Sequence, residues 1–264
     1  MTTKYTVVTT FNAQGYERYA RKMIQTFLAN WPQDVQLVVY AEGVTVQESA
    51  PNLTVLDLES ASPELVSFKT RWRGIPKANG DVSSDPIRNK RKDAGKGFKW
   101  DAIRFAHKVY SIAAAAKSTN NWLIWMDADM VCHSPVSNKF LNSMFTGDIC
   151  FLGRKGKYTE CGLYGINLSN YTGRLFINKF QEFYDQDTIF TFAEWHDSYV
   201  FDEVRKHVRC QERDWSSHLI TGEGHPLINS EWGAFLDHLK GDRKTLGRSK
   251  DKDLKVQRTE SYWS

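Results

Sequence analysis

The chain has 264 residues, of which 41% are hydrophobic and 25% charged, and its formal net charge is +4. These values fit one ordinary globular α/β domain or two closely packed halves. No apolar run approaches the roughly 18 residues of a membrane-spanning helix. The first residues predict a strand and not a signal peptide. We therefore expect a cytoplasmic protein.

The four cysteines show no C-x-x-C pairing. They are Cys132, Cys150, Cys161 and Cys210. Free and mostly buried thiols in a reducing compartment are the expectation.

The first 60 residues alternate between strand and helix patterns. Residues 5–11 and 35–40 are rich in β-branched side chains, which predicts two strands, and a short third strand is expected at residues 55–58. Between the first two strands, residues 16–31 carry an apolar stripe at helical spacing that Pro32 ends. Strand, helix and strand with short connections predict a parallel, doubly wound sheet.

The segment 68–99 is unusual in charge. It carries ten basic and three acidic residues, so its net charge is +7 and that of the rest of the chain is −3. The basic residues are Lys69, Arg71, Arg73, Lys77, Arg88, Lys90, Arg91, Lys92, Lys96 and Lys99. Recurrent Gly, Pro and Ser predict a long irregular loop. It is either a mobile, solvated excursion or an anion-facing flap that orders on a phosphate-bearing ligand.

A helix is predicted over residues 98–116. Its apolar side is formed by Phe98, Ala102, Phe105, Val109 and Ile112. Arg104 and Lys108 lie with Asp101 on the other side, which would face the region beside the central strands. That face is either simply solvated or contacts phosphate or sugar groups of a ligand.

A buried strand that ends in two acids is the clearest candidate site. Residues 122–126 form a continuous apolar run, which favours a strand covered on both faces. Asp127 and Asp129 follow at its carboxyl end, where ligands bind in open α/β folds. A protein core does not tolerate unpaired carboxylates, so a cation or a structural partner should lie close by.

The second half of the chain continues the same architecture. Helices are predicted at residues 139–145, 173–184 and 192–208, and strands at residues 148–152 and 162–168. No internal repeat or linker divides the chain. The prediction is therefore a single α/β domain over residues 1–264, with a central, mostly parallel sheet flanked by helices.

Near the carboxyl end, His238, Gly241 and Lys244 fall within seven residues. A lone histidine is more often a structural hydrogen-bonding group than a ligand. Here the glycine allows the backbone to approach a ligand closely, and Arg243 and Lys244 supply positive charge. An imidazole, a close backbone and a cation are the parts that a metal–diphosphate site requires.

Asp127-Ala128-Asp129 behind a buried strand, followed by His238-x-x-Gly241-x-x-Lys244, resembles the GT-A-fold glycosyltransferases of the glycogenin and lipopolysaccharide galactosyltransferase type. The resemblance covers most of the chain in order. It implies a Rossmann-like domain in which residues 1–130 bind a nucleotide-sugar donor, with UDP-sugars the first choice, and residues 131–264 bind the acceptor. It also implies transfer of a hexosyl or pentosyl group with Mn²⁺ or Mg²⁺ bridging the diphosphate.

The family motif carries over to particular residues. By match, Asp127, Asp129 and His238 would hold the metal ion, while Gly241 and Lys244 would contact the diphosphate. The Pro-Trp that often follows the family lysine is absent after Lys244. This departure leaves open whether the anomeric configuration is retained or inverted.

Further roles are implied near the ends of three predicted elements. Thr9 and Phe11 end the first strand, where the family binds the nucleoside, although Phe11 is equally a core residue by pattern. Glu160 lies in a region that faces the acceptor in the family, or is a buried structural carboxylate. Asp197, with Glu194 as second choice, would deprotonate the acceptor hydroxyl in an inverting enzyme. A helix N-cap is the competing role for Asp197.

The acceptor is the least defined part of the prediction. The basic segment could meet a polyanion, and DNA fits because Lys and Arg bind phosphates without regard to sequence. Trp72, between two arginines, would then be a stacking group. Some bacteriophage glycosyltransferases of this general kind modify hydroxymethylated DNA bases, in the host cytoplasm; a lipopolysaccharide or other surface glycan is the alternative. Two hypotheses assign the protein to other functional classes. One is a nucleic-acid-binding module with a structural cation site, and the other is a metal-dependent phosphatase or nucleotidyltransferase.

Overall fold

The computed structural model of the protein describes residues 4–219 and 225–264. Seven strands form a central sheet in the order β3-β2-β1-β4-β7-β6-β8, and two more form a separate ribbon. The strands are β1 Tyr5–Asn12, β2 Gln36–Glu42, β3 Leu53–Asp57, β4 Trp122–Met126, β5 Met130–Cys132, β6 Ile149–Leu152, β7 Glu160–Asn167, β8 Glu212–Asp214 and β9 Leu236–His238. Neighbouring strands of the sheet are parallel except at β7, which runs antiparallel to both β4 and β6.

Helices cover both faces of the sheet. They are α1 Ala13–Gly15, α2 Arg21–Asn30, α3 Leu58–Ala61, α4 Pro63–Trp72, α5 Ala102–Ala116, α6 Asn138–Met144, α7 Tyr171–Asp185, α8 Asp197–His207, α9 Pro226–Asn229 and α10 Arg243–Leu246. A stretch of wider π-type turns, Tyr16–Ala20, joins α1 to α2. The predicted α/β class with a central, mostly parallel sheet is confirmed.

The alternation of side chains along the central strands divides the core into two layers. On β4, Leu123 and Trp125 pack with α5, α7 and α8 on one face, whereas Ile124 and Met126 pack with α2 and α6 on the other. All five residues of β4 are buried. This explains the continuous apolar run in the sequence, since a strand covered on both faces has no polar side.

The order of the strands defines where a ligand can enter. From β1 the chain moves outward to β2 and β3, then crosses back to β4 on the other side of β1. The connections that follow β1 and β3 therefore lie on opposite faces of the sheet, and a crevice opens between the carboxyl ends of β1 and β4. Thr10, Phe11 and Asp127 lie at this crevice.

Most predicted elements are present, with shifted ends. The predicted helix 98–116 begins at Ala102, because the Asp101 side chain caps it by accepting a hydrogen bond from the Arg104 amide, 3.1 Å away. The predicted helix 192–208 begins at Asp197, with His196 as its N-cap. Asp197 is thus the first residue of that helix and not its cap.

The prediction of an irregular loop over residues 68–99 was wrong in its first part. Residues up to Trp72 belong to α4, in which Phe68 and Lys69 are buried. Ser62 accepts a hydrogen bond from the Leu65 amide and Pro63 follows at the first helical position, which is a recognisable helix start. The remainder contains short 3₁₀ turns at Pro76–Asn79, Arg88–Lys90 and Gly97–Trp100.

No helix among the described residues is both long enough and apolar enough to cross a membrane. All four cysteines are free thiols, as predicted; Cys132, Cys150 and Cys161 are buried and Cys210 is partly buried.

Gly173 in α7 provides a test of the packing of this helix against the end of β7. A Cβ atom at this position would lie 2.0 Å from the carbonyl oxygen of Asn167, which is backbone and has no room to move. We expect Gly173→Ala to lower the free energy of unfolding by about 1–3 kcal/mol. Gly74→Ala, where no atom lies within 4 Å of the new methyl group, is the matched control and should change it by less than about 0.5 kcal/mol. Urea unfolding measures both, and equal stabilities would contradict the packing.

Candidate metal and ligand site

The ribbon formed by β5 and β9 brings distant parts of the chain together at the end of β4. Met130 pairs with His238 in antiparallel register, and the amide of Leu239 donates a hydrogen bond to the carbonyl of Asp129, 2.9 Å away. The pairing places the imidazole of His238 against two carboxylates that precede it by more than a hundred residues. Gly162 of β7 leaves space for the ring, since a Cβ there would lie 2.4 Å from the His238 Cε1 atom.

Asp127, Asp129 and His238 form a compact group of potential metal ligands. One ligand atom from each residue lies within 4.8 Å of the others. The Nε2 atom of His238 is 2.9 Å from Oδ1 of Asp129 and 3.5 Å from Oδ2 of Asp127. Lys244 lies beside the group, with its Nζ atom 2.8 Å from Oδ2 of Asp129.

The electrostatics of these residues fit a divalent cation. Burial raises the pKa of the Asp127 carboxyl, so its charge is poorly compensated by the protein. Burial also acts to raise the pKa of Asp129, but His238 and Lys244 outweigh it and hold this pKa well below its usual range. Two carboxylates that line a pocket and one buried imidazole, all within reach of one point, are a donor set suited to Mn²⁺ or Mg²⁺.

Lys108 links the acids at the end of β4 to α8. Its ammonium donates to Oδ1 of Asp127 at 3.2 Å, to Oδ2 of Asp197 at 2.7 Å and to the carbonyl of Cys161. The Lys108 side chain is only 7% exposed, although the sequence placed it on a solvated face of the helix. Contact with a ligand was the other alternative for this face; the solvated alternative does not hold for Lys108, because α5 presents this side chain to β4 and α8.

A pocket of about 230 Å³ opens above these residues. Phe11, Arg104, Lys108 and Lys244 line it together with the two aspartates of the predicted metal group. Thr10, Asn12, Tyr19, Glu42, Phe105, His107, Trp125, Ala128 and Asp197 complete the lining.

Two predicted ligand-binding residues lie outside that lining. Thr9 is fully buried and its hydroxyl has no hydrogen-bond partner among the described residues. Its neighbour Thr10 reaches the pocket instead. Gly241 forms the turn after β9 with a φ of +59°, a conformation that favours glycine whether or not a ligand is bound.

Glu160 lies behind the metal group and not in the pocket. Its Oε1 atom is 3.7 Å from Nδ1 of His238, and the carboxylate also contacts the ammonium of Lys240 and, at 3.7 Å, the guanidinium of Arg154. Burial acts to raise the pKa of Glu160, but the Lys240 and His238 charges outweigh it and lower the pKa. At 3.7 Å this contact is electrostatic and not a hydrogen bond, and Nδ1 of His238 has no hydrogen-bond partner among the described residues.

The two candidate bases occupy different environments. Asp197 lines the pocket and faces Lys108. Glu194 is buried beside the pocket, and its carboxylate accepts hydrogen bonds from Arg91 at 2.7 Å and Lys99 at 2.9 Å and contacts His196 at 3.0 Å. Both oxygens of each carboxylate have partners, but only Asp197 is in the pocket lining, so Asp197 is the carboxylate that a ligand in the pocket can reach.

Several residues of the site could not be identified from sequence patterns. Tyr19 lies under the ammonium of Lys244, 4.5 Å from the ring centroid to Nζ. Arg154 and Lys240 hold Glu160 behind His238. None of these positions lies in a motif. Only the spacing of Lys240 to His238, two residues along a strand end, was a weak signal that both side chains share a side.

A larger cavity of about 560 Å³ lies away from these acids, between β6, β8 and α8. Its lining mixes charges of both signs, among them Arg154, Arg205, Asp202 and Asp214. Asp202 and Arg205 pair with each other at 3.0 Å. The cavity contains none of the three potential metal ligands, so its size does not make it the reactive site.

The known proteins that the chain is similar to share little of its sequence. No protein-family model and no curated protein matches the chain. Among solved structures it is similar to the bifunctional glycosyltransferase WbbM, with 9% identity, a TM-score of 0.46, and 82% of this chain and 39% of that one covered. The glycosyltransferase GlyE of Streptococcus pneumoniae gives 10%, 0.45, and 80% and 45%. Mouse xyloside xylosyltransferase 1 gives 11%, 0.46, and 77% and 82%. The chain thus spans less than half the length of the first two.

His196 makes the stability of this region dependent on pH. Burial lowers the pKa of the imidazole, while Asp197 and Glu194 act in the opposite direction. Below about pH 6.5 the unfolded chain therefore binds a proton that the folded protein does not, and the free energy of unfolding falls by up to about 1.4 kcal/mol per pH unit. His196→Asn keeps a helix cap and removes the titration. We expect this variant to show a shallower pH dependence in urea unfolding between about pH 7.5 and 5; equal slopes would contradict the assignment.

Proposed function

We propose that the protein is a metal-dependent glycosyltransferase that moves a sugar from a nucleotide-sugar donor to a hydroxyl group. The observation that carries the proposal is the group of Asp127, Asp129 and His238 at the crevice between β1 and β4, with Lys244 beside it. Two carboxylates, an imidazole and a lysine together suit a divalent cation and the diphosphate it would bridge. UDP-sugars are the first donors to test.

The site would act by stabilising the leaving group. As the bond from the anomeric carbon to the diphosphate breaks, negative charge grows on the departing oxygen. A cation held by Asp127, Asp129 and His238 supplies positive charge to the diphosphate when bound. Lys244 lies in the pocket lining, where its ammonium can donate to a diphosphate oxygen. Arg104, exposed and also in the lining, offers a second donor to the nucleotide.

Asp197 is the group we assign to the acceptor hydroxyl. The proton would pass to its carboxylate as the acceptor oxygen bonds to the anomeric carbon and the nucleoside diphosphate leaves. Burial acts to raise the pKa of Asp197, but Lys108 outweighs it and holds the pKa below its usual range, so the carboxylate is ionised at neutral pH. Such a base is weak, and it gains strength if a ligand draws Lys108 away.

The acceptor is proposed from the chemistry of the surface beside the pocket. The exposed lysines of the segment 68–99 favour a polyanion, either a strand of DNA with a hydroxymethylated base or a lipopolysaccharide. A nucleic-acid-binding module with a structural cation site would use the same lysines without releasing a nucleoside diphosphate. Product analysis therefore separates the enzyme from the binding module.

Asp129→Asn tests the metal assignment. Loss of one charged ligand should reduce nucleoside diphosphate release from the active nucleotide sugar by about 100-fold or more, and EDTA should do the same to the unaltered protein until Mn²⁺ is restored. A panel of UDP-, GDP- and CMP-sugars with Mn²⁺ identifies the donor. The control is Asp251→Asn, an exposed acid that pairs with Arg248 at 3.2 Å. Full activity of Asp129→Asn, or of the chelated protein, would refute the metal site.

Asp197→Asn tests the base. The neutral amide cannot take the proton, so turnover with an acceptor should fall by about 10²–10⁴-fold. Hydrolysis of the donor without an acceptor should fall less. The control is Asp202→Asn, one turn further along α8 and bonded to Thr159 and Arg205 outside the pocket. If Asp197→Asn kept near-normal transfer, its role would be to hold Lys108.

A further inference from the structure

Five aromatic side chains, four of them around the buried ring of His196, form a contiguous cluster beside Asp197, which we call the aromatic strip. They are Phe98, Phe105, Tyr158, His196 and Tyr199. The His196 ring is at the centre, with centroid distances of 6.0 Å to Phe98, 6.3 Å to Phe105 and 5.4 Å to Tyr158. Tyr158 in turn lies 5.1 Å from Tyr199. Phe98 is 49% exposed and Tyr158 36% exposed.

The aromatic strip is continuous with the candidate site. Phe105 belongs both to the strip and to the lining of the pocket. His196 directly precedes Asp197 and caps its helix. A ligand that lies on the strip therefore extends to the carboxylate that we assign to the acceptor hydroxyl.

The strip is held in one conformation before any ligand arrives. Nδ1 of His196 accepts from the Tyr199 amide, and its Nε2 is 3.0 Å from Glu194. The turn that carries Phe98 is fixed from below, because the buried Trp100 donates to the carbonyl of Ala193, 3.0 Å away. Phe98 and Tyr158 are thus exposed rings beside a fixed histidine, and rings already held in place lower the entropy cost of binding a ring-bearing ligand.

Exposed lysines lie close to the two exposed rings along the chain. Lys90, Lys92 and Lys96 precede Phe98 along the chain, and Lys155 precedes Tyr158. All four are exposed, and none is paired with a carboxylate in the described part of the chain. Arg91 and Lys99, by contrast, are bound by Asp93 and Glu194 and serve the scaffold. Exposed aromatic rings with unpaired lysines close by along the chain suit a polymer of bases and phosphates.

Trp72, the stacking group that the sequence suggested, does not serve this purpose. Its ring packs against Phe190 at 4.1 Å, and its Nε1 donates to Asp187 at 2.7 Å. The tryptophan is thus committed to packing between α4 and the loop after α7. Phe98 and Tyr158 are the exposed rings.

We propose that the aromatic strip and its flanking lysines bind an unpaired strand of nucleic acid, which presents an acceptor hydroxyl at Asp197. The inference rests on the proposed glycosyl transfer for the chemistry at Asp197, but not for the binding itself. Bases would stack on Phe98 and Tyr158, and phosphates would contact the lysines. A neutral glycan would use the rings and leave the four cations without a role.

The test measures binding of a fluorescent single-stranded oligonucleotide of about 12 nucleotides by anisotropy at several salt concentrations. Phe98→Ala and Tyr158→Ala should each weaken binding by about 5-fold or more, since stacking of one base is worth about 1–3 kcal/mol. Tyr171→Ala removes an aromatic side chain that is 80% exposed and outside the strip, and should change nothing. Lys96→Ala should reduce the slope of log affinity against log salt by about 0.7. This substitution of an exposed lysine leaves the core intact, so it tests the surface even if a ring variant folds poorly.

Competitor ligands and the donor reaction separate the possible outcomes. Heparin carries charge without bases; if it bound as tightly as the oligonucleotide and ignored Phe98→Ala, the stacking would be refuted. Preferential binding of a neutral glycan would also overturn the inference. Hydrolysis of a nucleotide sugar without oligonucleotide binding would refute nucleic acid as the acceptor and support the proposed glycosyl transfer. Oligonucleotide binding that depends on Phe98 and Tyr158, with no donor turned over, would support the binding surface and refute the proposed glycosyl transfer.

Discussion

The buried ammonium of Lys108 is the contact on which the arrangement of the site depends. It joins α5, which carries it, to Asp127 at the end of β4, to the Cys161 carbonyl on β7 and to Asp197 at the start of α8. Burial acts to lower the pKa of Lys108, but the two carboxylates raise it well above its usual value, so the charge is kept. Breaking such a pair from one side leaves an uncompensated buried charge, which costs about 3–5 kcal/mol.

The two oxygens of each aspartate have different partners. Oδ1 of Asp127 accepts from Lys108 and, at 2.6 Å, from Nε1 of Trp125, whereas Oδ2 points toward His238. One oxygen is therefore engaged in structure and the other is available to a cation. Asp129 is divided in the same way between His238 and Lys244. A carboxylate fixed through one oxygen presents the other in a defined direction, which a metal site requires.

Local patterns in the sequence predicted much of the sheet and the acids at its edge. A strand that is buried on both faces has a continuous apolar sequence, and the first charged residue after it marks the end of the strand. The same patterns missed what long-range pairing decides. The register of Met130 against His238 places the third potential ligand, and only the family motif pointed to it. Lys108 has the spacing of a solvated face, and nothing local shows that β4 and α8 cover that face.

The basic segment shows the limit of counting charges along a sequence. Five of its ten cations are bound to carboxylates, and their partners include Asp187 and Glu194, which lie about a hundred residues away along the chain. The pairs of Arg91 and Lys99 with Glu194 join the chain on either side of Phe98 to the residues that precede α8. The remaining cations stay at the surface, so the charge of the segment has two separate effects. The paired cations next to Phe98 support the aromatic strip, and the unpaired cations give the surface of the segment its positive potential.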